Sequence, residues 1–155
     1  MTGPATTFTI ANTIGFRVPD IIFLDSNVLI YAISKHQADI EKNAVANRIL
    51  QQDNVAVSTQ VMQEFYVNAT VKGGMIDREA REWIEALSEF PCIETTRDLV
   101  FAAIDHASRY RINYYDAAII AAAERAGASV TYTEDLNHGQ QYGRTRVLNP
   151  FKTAH

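Results

Sequence analysis

Four acidic residues, Asp25, Glu64, Asp116 and Asp135, stand where carboxylates from distant parts of the chain can be brought to one place. Asp25 follows the apolar run Ile21-Ile22-Phe23-Leu24, so it is expected at the carboxyl end of a first strand. The plainer reading is that Asp25 or Ser26 caps the next helix, for which Asp-Ser-Asn is good chemistry. Glu64 sits early in a helix whose apolar residues Val61, Met62, Phe65, Tyr66 and Ala69 share one arc, and it lies about 60° outside that arc. It is placed to border a core and face a cleft, or to be an ordinary solvated glutamate. Asp116 comes three residues after Asn113, the spacing of a capping pair. It also opens Ala117-Ala118-Ile119-Ile120-Ala121-Ala122-Ala123, a helix apolar nearly all round, and an acid there needs a partner or a cation. Asp135 comes two residues after an apolar run, in Thr133-Glu134-Asp135, where a turn aspartate is the alternative.

Each signal is modest alone, but the four share a placement just after strands or at the start of the helices that follow them. Two ionised carboxylates ~5 Å apart repel by ~3 kcal/mol at an effective dielectric near 20. Protons or cations must relieve such a cluster. Mg²⁺ takes carboxylate oxygens and keeps waters. Held this way it can activate a water and neutralise the charge that develops on a phosphodiester.

The elements that must position these acids follow from the hydrophobic pattern. Strands are expected at Ile21–Leu24, Val55–Val57, Cys92–Glu94, Ser129–Thr133 and Arg146–Leu148. Helices are expected between them. One is capped by Ser26 or Asn27, one spans Glu41–Gln52, and one runs from Ser58 or Thr59 to about Val71. Asp77–Phe90 and Asp98–Tyr110 follow, and Asn113 then caps Tyr114–Ala126, with Gly127 as its C-terminal cap. Strands alternating with helices imply an α/β fold with a central parallel sheet covered on both faces. Ligands bind such sheets at the carboxyl ends of the strands. Residues 1–20, rich in Thr, Gly, Pro and Asn, read as an extended lead-in, and the domain occupies 21–155.

The 155 residues match one domain, large enough to bury a core. A net charge of −4 argues against a protein that coats nucleic acid, but not against an enzyme that holds it through cations. Cys92 is the single cysteine, so no internal disulfide forms, which fits a reducing cytoplasm. No apolar run approaches the roughly 20 residues of a membrane span. The stretch before Arg17, without Lys or Arg, does not read as a secretory signal.

Other side chains carry weaker signals than the acids. His138 could be a base or ligand, but no Cys or His falls at zinc spacing. Tyr114, Tyr115, Phe101 and Trp83 could stack on bases, with helix core the commoner use. Lys72, Arg109, Arg111, Arg144 and Arg146 could meet phosphates, Arg109 and Arg111 being favoured by their place before the Asp116 helix. A haloacid-dehalogenase-type phosphatase needs a second Asp where Asn27 stands, and a P-loop or dinucleotide site needs a glycine-rich turn that Asp-Ser-Asn-Val-Leu does not supply.

Four segments in order complete the picture: Phe23-Leu24-Asp25-Ser26-Asn27-Val28-Leu29-Ile30-Tyr31-Ala32, Gln63-Glu64-Phe65, Tyr115-Asp116-Ala117 through Ala123, and Thr133-Glu134-Asp135 through Gln140. With Asn149-Pro150-Phe151 they give a sequence that resembles the PIN-domain nucleases, and especially the VapC-type toxins of toxin–antitoxin pairs. The likeness spans about Ile21 to Phe151 and departs from the family only in the lead-in. It implies a three-layer α/β/α sandwich, Mg²⁺ or Mn²⁺ as cofactor, and RNA as substrate. It also implies Asp25, Glu64, Asp116 and Asp135 as the catalytic and metal-holding residues. A homodimer silenced by a small antitoxin is the expected assembly, with an Arg or Lys of the antitoxin reaching the acids. An RNA-processing nuclease without an antitoxin, and a non-catalytic scaffold that binds nucleic acid or protein, are the alternatives.

Overall fold

The computed structural model describes residues 20–152, so the lead-in expected at 1–20 falls almost wholly outside the described residues. Six strands form one sheet in the order β3-β2-β1-β4-β6-β5. They are β1 (Ile21–Leu24), β2 (Val55–Ser58), β3 (Cys92–Ile93), β4 (Ala128–Tyr132), β5 (Gln141–Tyr142) and β6 (Thr145–Leu148). All neighbouring pairs are parallel except β5 with β6. The expected central parallel sheet is there, and a short antiparallel strand that the sequence did not signal is added at one edge. Two residues are too short to show a period of two, and the turn at Gly143, with φ of 56°, lets the chain double back into a hairpin.

Six α-helices flank the sheet among the described residues: α1 (Ser26–Ile33), α2 (Ile40–Leu50), α3 (Thr59–Val67), α4 (Asp77–Leu87), α5 (Arg97–Tyr110) and α6 (Tyr114–Arg125). Together they make the expected three-layer α/β sandwich. The helix after β2 loses its regular period at Val67 and continues as a π-turn over Asn68–Lys72. The helix expected over Asp77–Phe90 ends at Leu87, three residues short, and Ser88–Phe90 turn down toward Pro91. The C-terminus of α6 is closed by Gly127, whose φ of 74° any side chain would strain.

The core is what makes the site possible. Phe23, Leu24, Val55, Ala56 and Val57 are fully buried within the sheet, and all seven residues Ala117–Ala123 of α6 are buried. Small side chains along α6 let it lie close against the sheet, which carries Asp116 to the sheet's edge. β1 and β4 are neighbours, and the chain leaves β1 toward β2 on one side and β4 toward β5 and β6 on the other. The crevice at such a point, beyond the strands' carboxyl ends, is where open α/β sheets bind ligands.

Candidate active site

Asp25 and Asp135 leave the sheet on neighbouring strands, β1 and β4, which pair through Leu24 and Tyr132. Asp25 is buried, and its carboxylate caps α1 by accepting the Ser26 N–H at 2.7 Å. Asp25 is thus the cap, as the plainer reading of the sequence had it, while Ser26 and Asn27, the other residues offered, lie within the helix. The hydroxyl of Thr133 donates to Asp25 Oδ2 at 2.8 Å and accepts from the Asp135 N–H at 3.1 Å. β4 ends at Tyr132, one residue before the expected Thr133, although the Thr133 N–H still donates to the Leu148 carbonyl. The Asn27 amide donates to Thr133 Oγ1 at 3.1 Å and to Asp135 Oδ2 at 3.2 Å, and lies 3.5 Å from Asp25 Oδ2. Its own Oδ1 is buried with no protein donor within reach.

Glu64 joins from α3. It is half-buried, as its place at the edge of the apolar arc predicts. The Ser26 hydroxyl donates to Glu64 Oε1 at 3.0 Å, and the Gln60 amide, one turn earlier on α3, approaches Oε2 at 3.3 Å. The same Gln60 amide donates to the Tyr115 carbonyl at 3.1 Å, so α3 and the first turn of α6 share one side chain. Asp116 stands in that turn, gripped by Asn113 in both directions. Its N–H donates to Asn113 Oδ1 at 3.0 Å, and Asn113 Nδ2 donates to its Oδ2 at 2.7 Å.

The charges of Glu64 and Asp135 act on both Asp25 and Asp116. Burial first, with the charges of Glu64 and Asp135 adding to it, raises the Asp25 carboxyl from the ordinary 3.8 to about 7 against the opposing bonds from Thr133 and Ser26. Burial and then the charge of Asp135 raise Asp116, with Glu64 adding to the same effect. Among the described residues, no Lys, Arg or His lies within ion-pair distance of any of the four. Their partners are neutral amides, hydroxyls and backbone N–H groups.

Among the described residues, no three acidic, imidazole or thiol side chains converge tightly enough to ligate one ion together. The donor set nevertheless suits a hard divalent cation. It consists of carboxylate oxygens, and Mg²⁺ usually binds through one or two of these and keeps several waters. The buried Asn27 Oδ1 is a spare acceptor of the kind a water satisfies. A groove of about 830 Å³ opens beside the cluster, with Ser26, Asn27 and Asp135 on its wall and Lys35, His36 and Lys72 along its length.

The remaining candidates separate. The His138 ring accepts the Asn149 N–H at 2.9 Å, a loop-holding role. Trp83 packs on Phe65 with ring centroids 5.9 Å apart, as core. Arg146 donates to the Gly139 carbonyl, and Arg144 lies against Glu124. Arg109 sits over the Tyr110 ring, and Arg111 ends α5 in a left-handed conformation with φ of 55°. Neither bonds to the acid cluster. Sequence reasoning missed Ser26, Asn27, Gln60 and Thr133 as partners of the acids, reading Asn27 as a helix cap, as part of a family segment and as the ground for excluding a phosphatase. Spacing offered a faint signal: Asn27 lies two residues after Asp25, Thr133 two before Asp135, and Gln60 one helical turn before Glu64.

Residues 22–142 match the family model described as the PIN domain. No curated protein shows a significant match to the chain. Among solved structures, a toxin-antitoxin complex from Klebsiella pneumoniae superposes with a TM-score of 0.64 at 22% identity, covering 85% of this chain and 99% of that one. Mycobacterium tuberculosis VapC20, a toxin that cleaves the sarcin-ricin loop, gives 0.61 at 20% identity, covering 74% and 89%. DNA-bound VapBC from Salmonella typhimurium gives 0.57 at 17% identity, covering 83% and 97%. At these identities the likeness is one of fold.

Proposed function

Since this chain belongs to the PIN-domain family, we propose that it is a divalent-metal-dependent ribonuclease that hydrolyses RNA phosphodiester bonds, and that it is the toxin of a toxin–antitoxin pair. The observation that carries the nuclease reading is geometric: Asn27 and Thr133 join Asp25 to Asp135, Ser26 reaches Glu64, and Gln60 links Glu64 to the turn that bears Asp116, without a cationic side chain among the described residues to balance the acids.

Asp25, Glu64, Asp116 and Asp135 would hold Mg²⁺ or Mn²⁺. Bound there, the ion supplies an activated water at neutral pH and offsets charge on the scissile phosphate. The protein's own contribution is preorganisation. Asn27 and Thr133 fix the spacing of Asp25 and Asp135, Ser26 and Gln60 fix Glu64, and Asn113 fixes Asp116. Every one of these donors is neutral, so the carboxylates are oriented while their charge stays available.

The toxin role is drawn from the fold relatives, which include toxin–antitoxin complexes. We expect a homodimer bound by an antitoxin whose Arg or Lys reaches the acids, since an arginine fork can bond two carboxylate oxygens and stand in for the cation. Cleavage of an RNA panel with and without Mg²⁺, comparing the wild type with Asp116→Asn, tests the activity. Metal-dependent cutting lost in the variant supports it, and no cutting with either Mg²⁺ or Mn²⁺ refutes it. Co-expression with the product of the adjacent gene tests the pairing. A neighbour that neither binds nor inhibits, together with a chain harmless to its host, moves the processing nuclease ahead.

A further inference from the structure

Tyr115 is the one large apolar side chain among the exposed ones that borders an acid of the cluster in sequence. It is 65% exposed. Its Cα is one peptide, about 3.8 Å, from that of Asp116. Its carbonyl is tied through Gln60 to Glu64. Its ring rests edge-on against Tyr114, centroids 5.2 Å apart and planes at 80°. Tyr114 is half-buried and packed against the core, so it is a fixed prop. The backbone and one edge of Tyr115 are therefore held, while much of the ring meets solvent.

The surroundings bear on the occupant. Asn113, Asp116 and Gln60 are polar, and Tyr114 is the aromatic partner of Tyr115 among the described residues. An apolar patch for a protein partner would need apolar neighbours at this point. A lone, propped ring in a polar setting suits a flat, neutral group whose edges are hydrated, which describes a nucleobase. Single-stranded RNA is commonly read by stacking splayed bases on aromatic rings.

We propose that Tyr115 is a stacking platform for a base of single-stranded RNA next to the bond to be cut, a proposal that rests on the ribonuclease reading above. It predicts that Tyr115→Leu weakens RNA binding by about 5- to 150-fold, the range of one lost base–aromatic stack, while Tyr115→Phe keeps the affinity. The probe is a single-stranded RNA oligonucleotide carrying 2-aminopurine, whose fluorescence is quenched on stacking. It is titrated with Mg²⁺ present into Asp25→Asn protein, alone and with each Tyr115 change. Quenching by the parent and by Tyr115→Phe, lost in Tyr115→Leu, supports the platform. In the active protein, Tyr115→Leu should raise KM more than it lowers kcat. Equal binding and quenching by all three proteins overturns the proposal. So does a Tyr115→Leu change that alters only the sedimentation coefficient, which would mark a contact between copies. Thermal melting checks that the exposed substitution leaves the fold intact. Failure of the parent reading looks different: the wild type itself would cut no RNA.

Discussion

The two ends of helix α6 hold two carboxylates in opposite ways. Glu124, near the C-terminus, accepts from the His106 ring at 2.5 Å and from the Arg144 N–H at 2.7 Å, with the Arg144 guanidinium 3.9 Å away. A carboxylate at a helix C-terminus works against the dipole, so it needs such partners. Asp116, near the N-terminus, has the favourable end of the dipole and one neutral partner, Asn113, yet burial and the charges of Asp135 and Glu64 raise its pKa. One end pairs a charge to tie α5, α6 and the β5–β6 turn together. The other gathers charges without counter-ions. A carboxylate that serves structure is given donors that satisfy it, and one available to a ligand is only oriented.

The contrast can be broken most sharply by mutation. Asp25→Asn is expected to lower RNA cleavage by about 10³-fold or more, the effect of losing several kcal/mol of metal-assisted stabilisation. The metal-free variant should melt no lower than the wild type, because a repelling charge has gone. An Asp25→Asn protein that cuts at the wild-type rate removes this residue from the mechanism, and one that is unfolded makes it structural. Glu124→Gln should do the reverse. Leaving the Arg144 N–H and the His106 ring poorly matched costs about 1–3 kcal/mol in denaturant unfolding, with cleavage unchanged within a few-fold.

The pH dependence sharpens the comparison. The Asp25 carboxyl lies at about 7 in the folded protein against an ordinary 3.8. Between those values the native state holds a proton that the unfolded chain has released. The stability it contributes is therefore complete below about pH 4 and lost as pH rises through 7. In chelator, the melting temperature of the wild type should fall relative to that of Asp25→Asn between pH 5 and pH 8. Asp116, raised in the same direction, is present in both proteins and lowers both curves alike, leaving their difference to Asp25. Added Mg²⁺ should restore stability at neutral pH. Parallel curves for the two proteins would mean that Asp25 is not strained by its surroundings.

The smallest effect belongs to Asn113→Ala. Loss of the cap costs about 1 kcal/mol of stability. It also frees the Asp116 side chain, so cleavage should fall by a modest factor while binding of RNA stays near normal. Single-turnover kinetics beside a binding titration separates the two.

Much of this arrangement was legible along the chain. Buried strands show as short apolar runs, and α6 shows as a helix apolar all round, because burial on every side removes the need for polar residues. Asp25, Asp116 and Asp135 stood out by following or opening those elements. The β5 strand did not, since two residues carry no period. Nor did the end of α4, where propensity extends past Leu87 but Pro91 turns the chain away.

What the sequence determined by itself was the order of strands and helices, and hence that four acids would emerge on one edge of a sheet. Local periodicity is written in neighbouring residues, and the carboxyl edge follows from chain direction. Apart from Asn113, whose capping spacing to Asp116 is local, the tertiary structure alone decided which neutral groups hold the acids. Asn27 meets Thr133 across 106 positions and Ser26 meets Glu64 across 38, because β1 sits between β2 and β4. Such contacts depend on strand register and helix packing over the whole core, and no local pattern encodes them. The same packing left Tyr115 exposed while it set Trp83, partly buried, against the core, two aromatic residues that the sequence alone did not tell apart.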